Sequence, residues 1–209
     1  MTNSLINLSK QDAENIFPKE KNIDMTKLMT TTEGVYSVSK NIAAKKLKSI
    51  IHQYMKSYDI TITDACANVG SDTLMLAKYF SNVNSIELDD INYSALKNNV
   101  DVYNYKNINL IKGNNLEHLP NIKQDVIYAD PPWGGGSYKK HSQLKLYFDK
   151  IELAVFYNKF KNNAKLHIYK VPYNYNINNF LIVTKIKKLR IASFIENDRI
   201  KFLFLIIRN

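Results

Sequence analysis

The sequence predicts an α/β fold, a mostly parallel sheet with an antiparallel last strand. Three observations predict it. Short β-rich runs alternate with segments of helical periodicity along most of the chain. With only six glycines in 209 residues, Gly70, Gly113 and the run Gly134, Gly135, Gly136 each fall just past a probable strand. Two long β runs close the chain around Glu196-Asn197-Asp198, which reads as a hairpin turn.

Each element follows from its residues. Residues 1–30 are polar and weakly periodic, and Pro18 breaks any long helix, so they read as a short helix plus an arm. In 39–56, Ile42, Ala43, Leu47, Ile50, Ile51, Tyr54 and Met55 recur at helical spacing, with Ser39 placed as N-cap. Strands are expected at 59–65, 83–88, 109–112, 125–129 and 165–170, and helices at 72–80, 92–105, 142–160 and 176–183. The closing β runs are 187–195 and 199–207. The expected division is an N-terminal arm over 1–38, contributing to the ligand pocket, and a main domain over 39–209.

Composition narrows the function. No stretch reaches the ~18 apolar residues of a membrane span, and the N-terminus lacks the basic start and apolar run of a signal peptide. One cysteine, Cys66, excludes an intrachain disulfide and a cysteine-cluster zinc site; it reads as a buried small residue. None of His52, His118, His141 and His167 pairs at metal-ligand spacing on a helix, so no metal is expected. The 29 Lys and Arg against 19 acids give a net charge of +10. That balance suits a polyanionic partner. AT-rich codon usage, visible in the abundant Lys, Asn and Ile, is the competing explanation, and it fits a virus or a unicellular eukaryote. An intracellular, soluble protein is expected, in cytoplasm or nucleus (host cytoplasm if viral).

Three strand exits carry chemistry. The first, Asp64-Ala65-Cys66-Ala67-Asn68-Val69-Gly70-Ser71, is a small-residue turn that lets backbone approach a cofactor. Asn68 stands where a first glycine is expected, and Asn tolerates left-handed backbone angles. Alone, the run is equally an ordinary strand-to-helix turn. The second exit ends in Glu87, 23 residues after Asp64. An acid there can accept both ribose hydroxyls of a nucleoside cofactor, or can be a solvated acidic turn. The third, Asp130-Pro131-Pro132-Trp133-Gly134-Gly135-Gly136-Ser137-Tyr138, is the most specific. The prolines fix the backbone and remove two amide donors. Carbonyls and a carboxylate then face an open loop beside an aromatic ring. The assembly suits a planar base bearing an exocyclic amine; a structural tryptophan beside a proline turn is the alternative.

In this order the three exits resemble S-adenosylmethionine-dependent methyltransferases acting on amino groups. Pro131-Pro132-Trp133-Gly134-Gly135-x-x-Tyr138 is similar, more narrowly, to the trimethylguanosine synthase family of cap-specific guanine 2-amino methyltransferases. Glu33-Gly34-Val35-Tyr36-Ser37-Val38, Asn98-Asn99-Val100-Asp101-Val102-Tyr103 and Val171-Pro172-Tyr173-Asn174 resemble further segments of that family, in the family's order. The resemblance covers residues 33–209. Two departures stand out. Only Gly70 remains of the glycines in the family's first turn, and Asn114 replaces the acid that follows Gly113.

The resemblance implies a Rossmann-like methyltransferase sheet with a short N-terminal helical extension. It also implies methylation of the 2-amino group of a 7-methylguanosine cap. The implied cofactor is S-adenosylmethionine, leaving as S-adenosylhomocysteine, and the implied partner is 7-methylguanosine-capped RNA, met by a monomer. Tyr36, Ser37, Asp64, Ala65, Gly70, Glu87, Leu88 and Asn114 would lie on the cofactor side. Trp133, Asn99, Tyr138, Lys27, Lys139 and Lys140 would contact the cap, although each lysine alone is an ordinary solvated one. Asp130, Pro131 and Trp133 would carry catalysis. The acceptors at Asp130 and Pro131 would stabilise charge developing on the amine, while Trp133 stacks on the cationic base. Two other readings stay open: an amino-methyltransferase acting on adenine or guanine in DNA or structured RNA, and a non-catalytic cap- or RNA-binding module.

Overall fold

The computed structural model describes residues 3–209. The chain opens with β1 (Leu5–Asn7), α1 (Lys10–Ile16) and β2 (Met29–Thr31), and β1 pairs antiparallel with β2. The expected arm is therefore a small hairpin-like sheet around one helix, anchored by buried Ala13, Phe17, Met25 and Leu28. Ser9 caps α1 by accepting the Asp12 N–H. Met1 and Thr2 of the expected arm lie outside the described residues.

After the single turn α2 (Gly34–Ser37), α3 (Asn41–Met55) buries Ala43, Leu47, Ile50 and Ile51 along the expected stripe. Its N-cap is Lys40, not Ser39. The Ser39 hydroxyl donates instead to Asp72 Oδ2 at 2.7 Å. A buried carboxylate competes for that donor more strongly than a helix end that solvent can satisfy.

The remaining elements are β3 (Thr61–Asp64), α4 (Ser71–Ala77), β4 (Asn82–Glu87), α5 (Asp90–Tyr103), β5 (Ile108–Lys112), α6 (Asn115–His118), β6 (Val126–Ala129), β7 (Tyr147–Phe148), β8 (Ile151–Glu152), α7 (Leu153–Phe160), β9 (Leu166–Pro172), α8 (Ile177–Thr184), β10 (Arg190–Glu196) and β11 (Arg199–Arg208). The expected helix at 142–160 is helical only from Leu153. Before it, β7 and β8 form a tight antiparallel pair around Asp149, whose φ is 53°. Leu146 and Phe148 are buried while Tyr147 is exposed. That alternation is the strand period, and over five residues it is easily mistaken for part of a helix.

The main sheet runs β10-β11-β9-β6-β3-β4-β5. β9, β6, β3, β4 and β5 are parallel neighbours, and β11 enters antiparallel between β9 and β10. Strand order reverses between β3 and β6, which opens a crevice beyond their carboxyl ends. Helices cover both faces. Residues of α3 and α4 pack on Ile62, Val83, Val126, Tyr128 and Ile168. Those of α7 and α8 pack on Ile127, Ala129, Tyr169, Val171 and Leu205. β6 and the inner parts of β9 and β11 are accordingly apolar, whereas β3 and β4 mix Thr, Asn and Ser with Ile and Val. Thr63 and His167 are buried polar residues elsewhere in the sheet, while a group of them lies toward the carboxyl ends on the α3/α4 face: Asp64, Ser85 and Lys170 are buried, and Asp130 follows β6 directly. Burying polar groups there is costly unless they are paired, so their placement marks the site.

Candidate active site

The turn leaving β3 keeps the shape of a glycine turn with fewer glycines. Asn68 adopts φ 49° and Gly70 φ 92°. The Asn68 amide oxygen accepts the Val69 N–H, and its Nδ2 donates to Ser37 Oγ at 3.0 Å. Gly70 is needed: a Cβ there would stand 2.7 Å from Leu96 Cδ1. Asp64 closes the strand beneath this turn. Its Oδ2 accepts from Thr73 Oγ1 at 2.7 Å, while Oδ1 has no partner. Burial, with Asp72 nearby, pushes the Asp64 carboxyl up to about 8. Burial also holds the partly buried Cys66 thiol well above its ordinary range, which removes it as a nucleophile.

Glu87 ends β4 facing this turn. Oε2 accepts the Asn68 N–H at 2.7 Å and Oε1 the Asp89 N–H at 2.8 Å. Burial raises its pKa against the pull of those amides. Each oxygen keeps a second acceptor direction. Leu88 beside it is 64% exposed, an apolar face open to a ring. Asn114 caps α6, and its amide oxygen accepts the Leu116 N–H at 3.0 Å. That commits one lone pair of the acceptor expected to meet an adenine amine. Its neighbour Asn115, which sequence reasoning passed over, is buried. It donates to the Ala65 carbonyl at 3.0 Å and holds an unpartnered Oδ1. A second Asn straight after Gly113-Asn114 was the available signal. Tyr36 is 92% exposed, while Ser37 touches the turn through Asn68.

The unpartnered oxygens of Asp64 and Asn115 gather at one strand exit, with Glu87 and Leu88 alongside. All are acceptors. S-adenosylmethionine presents donors: two ribose hydroxyls, an ammonium and an adenine amine. The residues fit that molecule. Among the described residues no His, Cys, Asp or Glu group is placed to hold a metal ion.

Beyond β6 the chain turns at Pro131 and Pro132 into Trp133. The indole Nε1 donates to Asp130 Oδ1 at 3.1 Å. Tyr138 meets the indole edge-on at 5.2 Å. Around them Gly134, Gly135 and Gly136 have no atom within 4 Å of a Cβ position, and the first two take positive φ. Side chains brace the loop from its far end: Ser137 Oγ donates to the Gly134 carbonyl and Asn174 Nδ2 to the Tyr138 carbonyl, each at 2.8 Å. Asp130 Oδ2 accepts from Lys170 Nζ at 2.6 Å. Both oxygens of the expected amine acceptor are therefore already engaged. Burial raises the Asp130 pKa, and Lys170 offsets part of that rise. Lys27, Lys139 and Lys140 are all exposed.

Asn99 lies elsewhere. It is fully buried, accepting the Met29 N–H and donating to the Met29 and Val69 carbonyls, each at 2.8 Å. Its donors are spent and it cannot reach a cap. It ties β2 to the turn leaving β3, a duty that polar backbone buried without its own partner imposes on a nearby amide.

A family model described as RNA cap guanine-N2 methyltransferase matches residues 59–209. The uncharacterized protein L320 of Acanthamoeba polyphaga mimivirus is 33% identical over 191 residues, covering 79% of this chain and 75% of that protein. Trimethylguanosine synthase of Schizosaccharomyces pombe is 32% identical over 84 residues, 37% of this chain. A solved structure from Porphyromonas gingivalis W83, assigned there as a methyltransferase, superposes with a TM-score of 0.64 over 85% of this chain at 16% identity. That likeness shows the fold. The match spans 35% of the fission-yeast synthase and 42% of the Porphyromonas chain.

Proposed function

The chain belongs to the RNA cap guanine-N2 methyltransferase family, and from that premise we propose that it methylates the 2-amino group of a 7-methylguanosine cap on RNA, using S-adenosylmethionine. The observation that carries the substrate is the exit of β6. A half-buried indole sits beside a backbone stripped of amide donors, and the three glycines after it leave open space where side chains would stand.

Glu87 would hold the ribose hydroxyls, Leu88 would pack on the adenine, and Asn115, with Asp64 when ionised, would accept the remaining donors. Gly70 and Ala65 keep the backbone low enough for close approach. S-adenosylmethionine, when bound, supplies an electrophilic methyl group on a sulfonium. Trp133 stacks on guanine, and the positive charge of the 7-methylated ring adds a cation–π attraction to stacking worth ~1–3 kcal/mol. That addition separates 7-methylguanine from guanine. The guanine amine lone pair is delocalised into the ring and is a poor nucleophile, so orientation is the main contribution this loop makes. With Asp130 engaged by Lys170 and Trp133, the Pro131 carbonyl is the acceptor left for the amine protons. Tyr138 braces the indole, and Lys139 and Lys140 supply positive charge for the cap phosphates.

The test is methyl transfer from labelled S-adenosylmethionine to 7-methyl-GTP, GTP and a DNA duplex, with Trp133→Ala in parallel. Transfer to 7-methyl-GTP alone, lost in the variant, is expected. Transfer to DNA would overturn the cap assignment. Binding of 7-methyl-GTP without transfer would make the chain a cap-binding module; the preserved turn geometry at Asn68 and Gly70 argues against that.

A further inference from the structure

We propose that Lys170 is a positioning residue, acting through Asp130 to hold the Trp133 indole ready for its stacking partner; this rests on the cap reading above. β9 is buried along its whole length, and Lys170 is the only ammonium in it, 5% exposed. A lysine in such a strand is strongly disfavoured unless its charge is met. Here it is met on two sides, by Asp130 Oδ2 at 2.6 Å and Ser39 Oγ at 2.9 Å. The other Asp130 oxygen accepts the indole N–H. The carboxylate is thus a bridge, with an ammonium at one end and Trp133 at the other. The ammonium also lies 5.5 Å from the Trp133 ring centre and 4.9 Å from that of Phe202. Phe202 itself stands 6.5 Å from the indole.

The electrostatics point the same way. Burial alone would lower the Lys170 pKa, but the Asp130 and Asp72 carboxylates outweigh it and hold the ammonium above its ordinary range. The internal cation therefore neutralises Asp130. Without it, an unpaired carboxylate would lie under the indole and draw water, or turn the side chain toward solvent. Lys170 sits 40 residues from Asp130 in sequence. The orientation of the indole is consequently set by a strand outside the loop, at the end opposite to the Asn174 contacts that tie Tyr138 and His141.

Trp133 is the chain's single tryptophan, so its fluorescence reports this bridge directly. Lys170→Met is expected to red-shift indole emission and increase quenching by acrylamide. It should weaken 7-methyl-GDP binding about tenfold or more, the scale of one lost stacking contact. S-adenosylhomocysteine affinity, measured by calorimetry, should stay within about twofold. Asp130→Asn with Lys170→Met restores emission and most of the 7-methyl-GDP affinity, because an amide oxygen still accepts from Nε1 and no charge is stranded. Asp130→Ala with Lys170→Met has no stranded charge either, yet lacks the acceptor, and should behave as the displaced state. That pair carries the test if Lys170→Met alone does not fold. Wild-type emission and affinity in Asp130→Ala/Lys170→Met would overturn the proposal. So would a parallel fall in both ligand affinities, the mark of a general structural role. If the wild-type chain ignores 7-methyl-GDP, the cap reading fails, while the emission arm still decides whether Lys170 positions the indole.

Discussion

The turn at 64–72 and the loop at 130–138 both follow a parallel strand at the same edge of the sheet, yet they are built on opposite principles. The turn has kept one glycine and filled its other positions with side chains that bond to one another: Asn68 to Ser37, Thr73 to Asp64, Asp72 to Ser39 and Tyr128. The loop has three consecutive glycines and empty space around each. Glycine in the turn answers a packing demand, because Leu96 occupies the place of a Cβ at Gly70. Glycine in the loop answers a demand for vacancy. The same residue type therefore predicts different consequences when it is replaced.

The largest expected effect separates the two directly. Gly70→Ala combines positive φ with a clash against Leu96, and should cost roughly 2–4 kcal/mol, a Tm fall of roughly 5–15 °C for a chain of this size. Gly135→Ala also carries positive φ, +65°, but meets nothing, so about 1 kcal/mol is expected. Equal losses in thermal unfolding would break the comparison. The pH dependence of the turn comes next. The folded chain holds a proton on Asp64 up to about pH 8, whereas an unfolded carboxyl releases it near pH 4. Stability from this group is complete below pH 4 and is lost as pH rises toward 8, at most about 1.4 kcal/mol per unit. Asp64→Asn should remove that slope in Tm measured between pH 5 and 8; parallel curves would mean that Asp64 is ionised and paired.

Smaller effects sharpen the contrast. Asn68→Ala loses a left-handed residue and two hydrogen bonds, about 1–2 kcal/mol, while Asn68→Gly loses the hydrogen bonds alone and should cost less. Chemical denaturation reads both. In the loop, Lys139→Ala with Lys140→Ala should leave Tm unchanged. It should lower the salt dependence of capped-RNA binding by about one or two phosphate contacts. A Tm loss there would show that the two lysines contribute to the fold.

Much of this was legible from the residues. Alternation of short β runs and helices gave the sheet, its antiparallel last strand and the three strand exits. Each follows from periodicity and from which residues tolerate a turn. The helix assigned to 142–160 failed because five residues of strand alternation were read within a longer helical window. Asn99 was misplaced for a different reason: a motif records that an amide is present, not which backbone groups it must satisfy. Asn115 was missed because its importance comes from the Ala65 carbonyl, 50 residues away.

The sequence by itself determined the α/β class, the order of the exits and the Asp130–Tyr138 loop, because backbone preference and side-chain period act over a few neighbouring residues. Only the tertiary structure decided that Ser39 serves Asp72 instead of a helix end, that Asn99 braces β2, and that Lys170 holds both Asp130 and, through it, Trp133. Those partners lie far apart in sequence, on helices, strands and turns, and the force that selects them, the cost of burying an unpaired charge or amide, exists only once the core has closed around them.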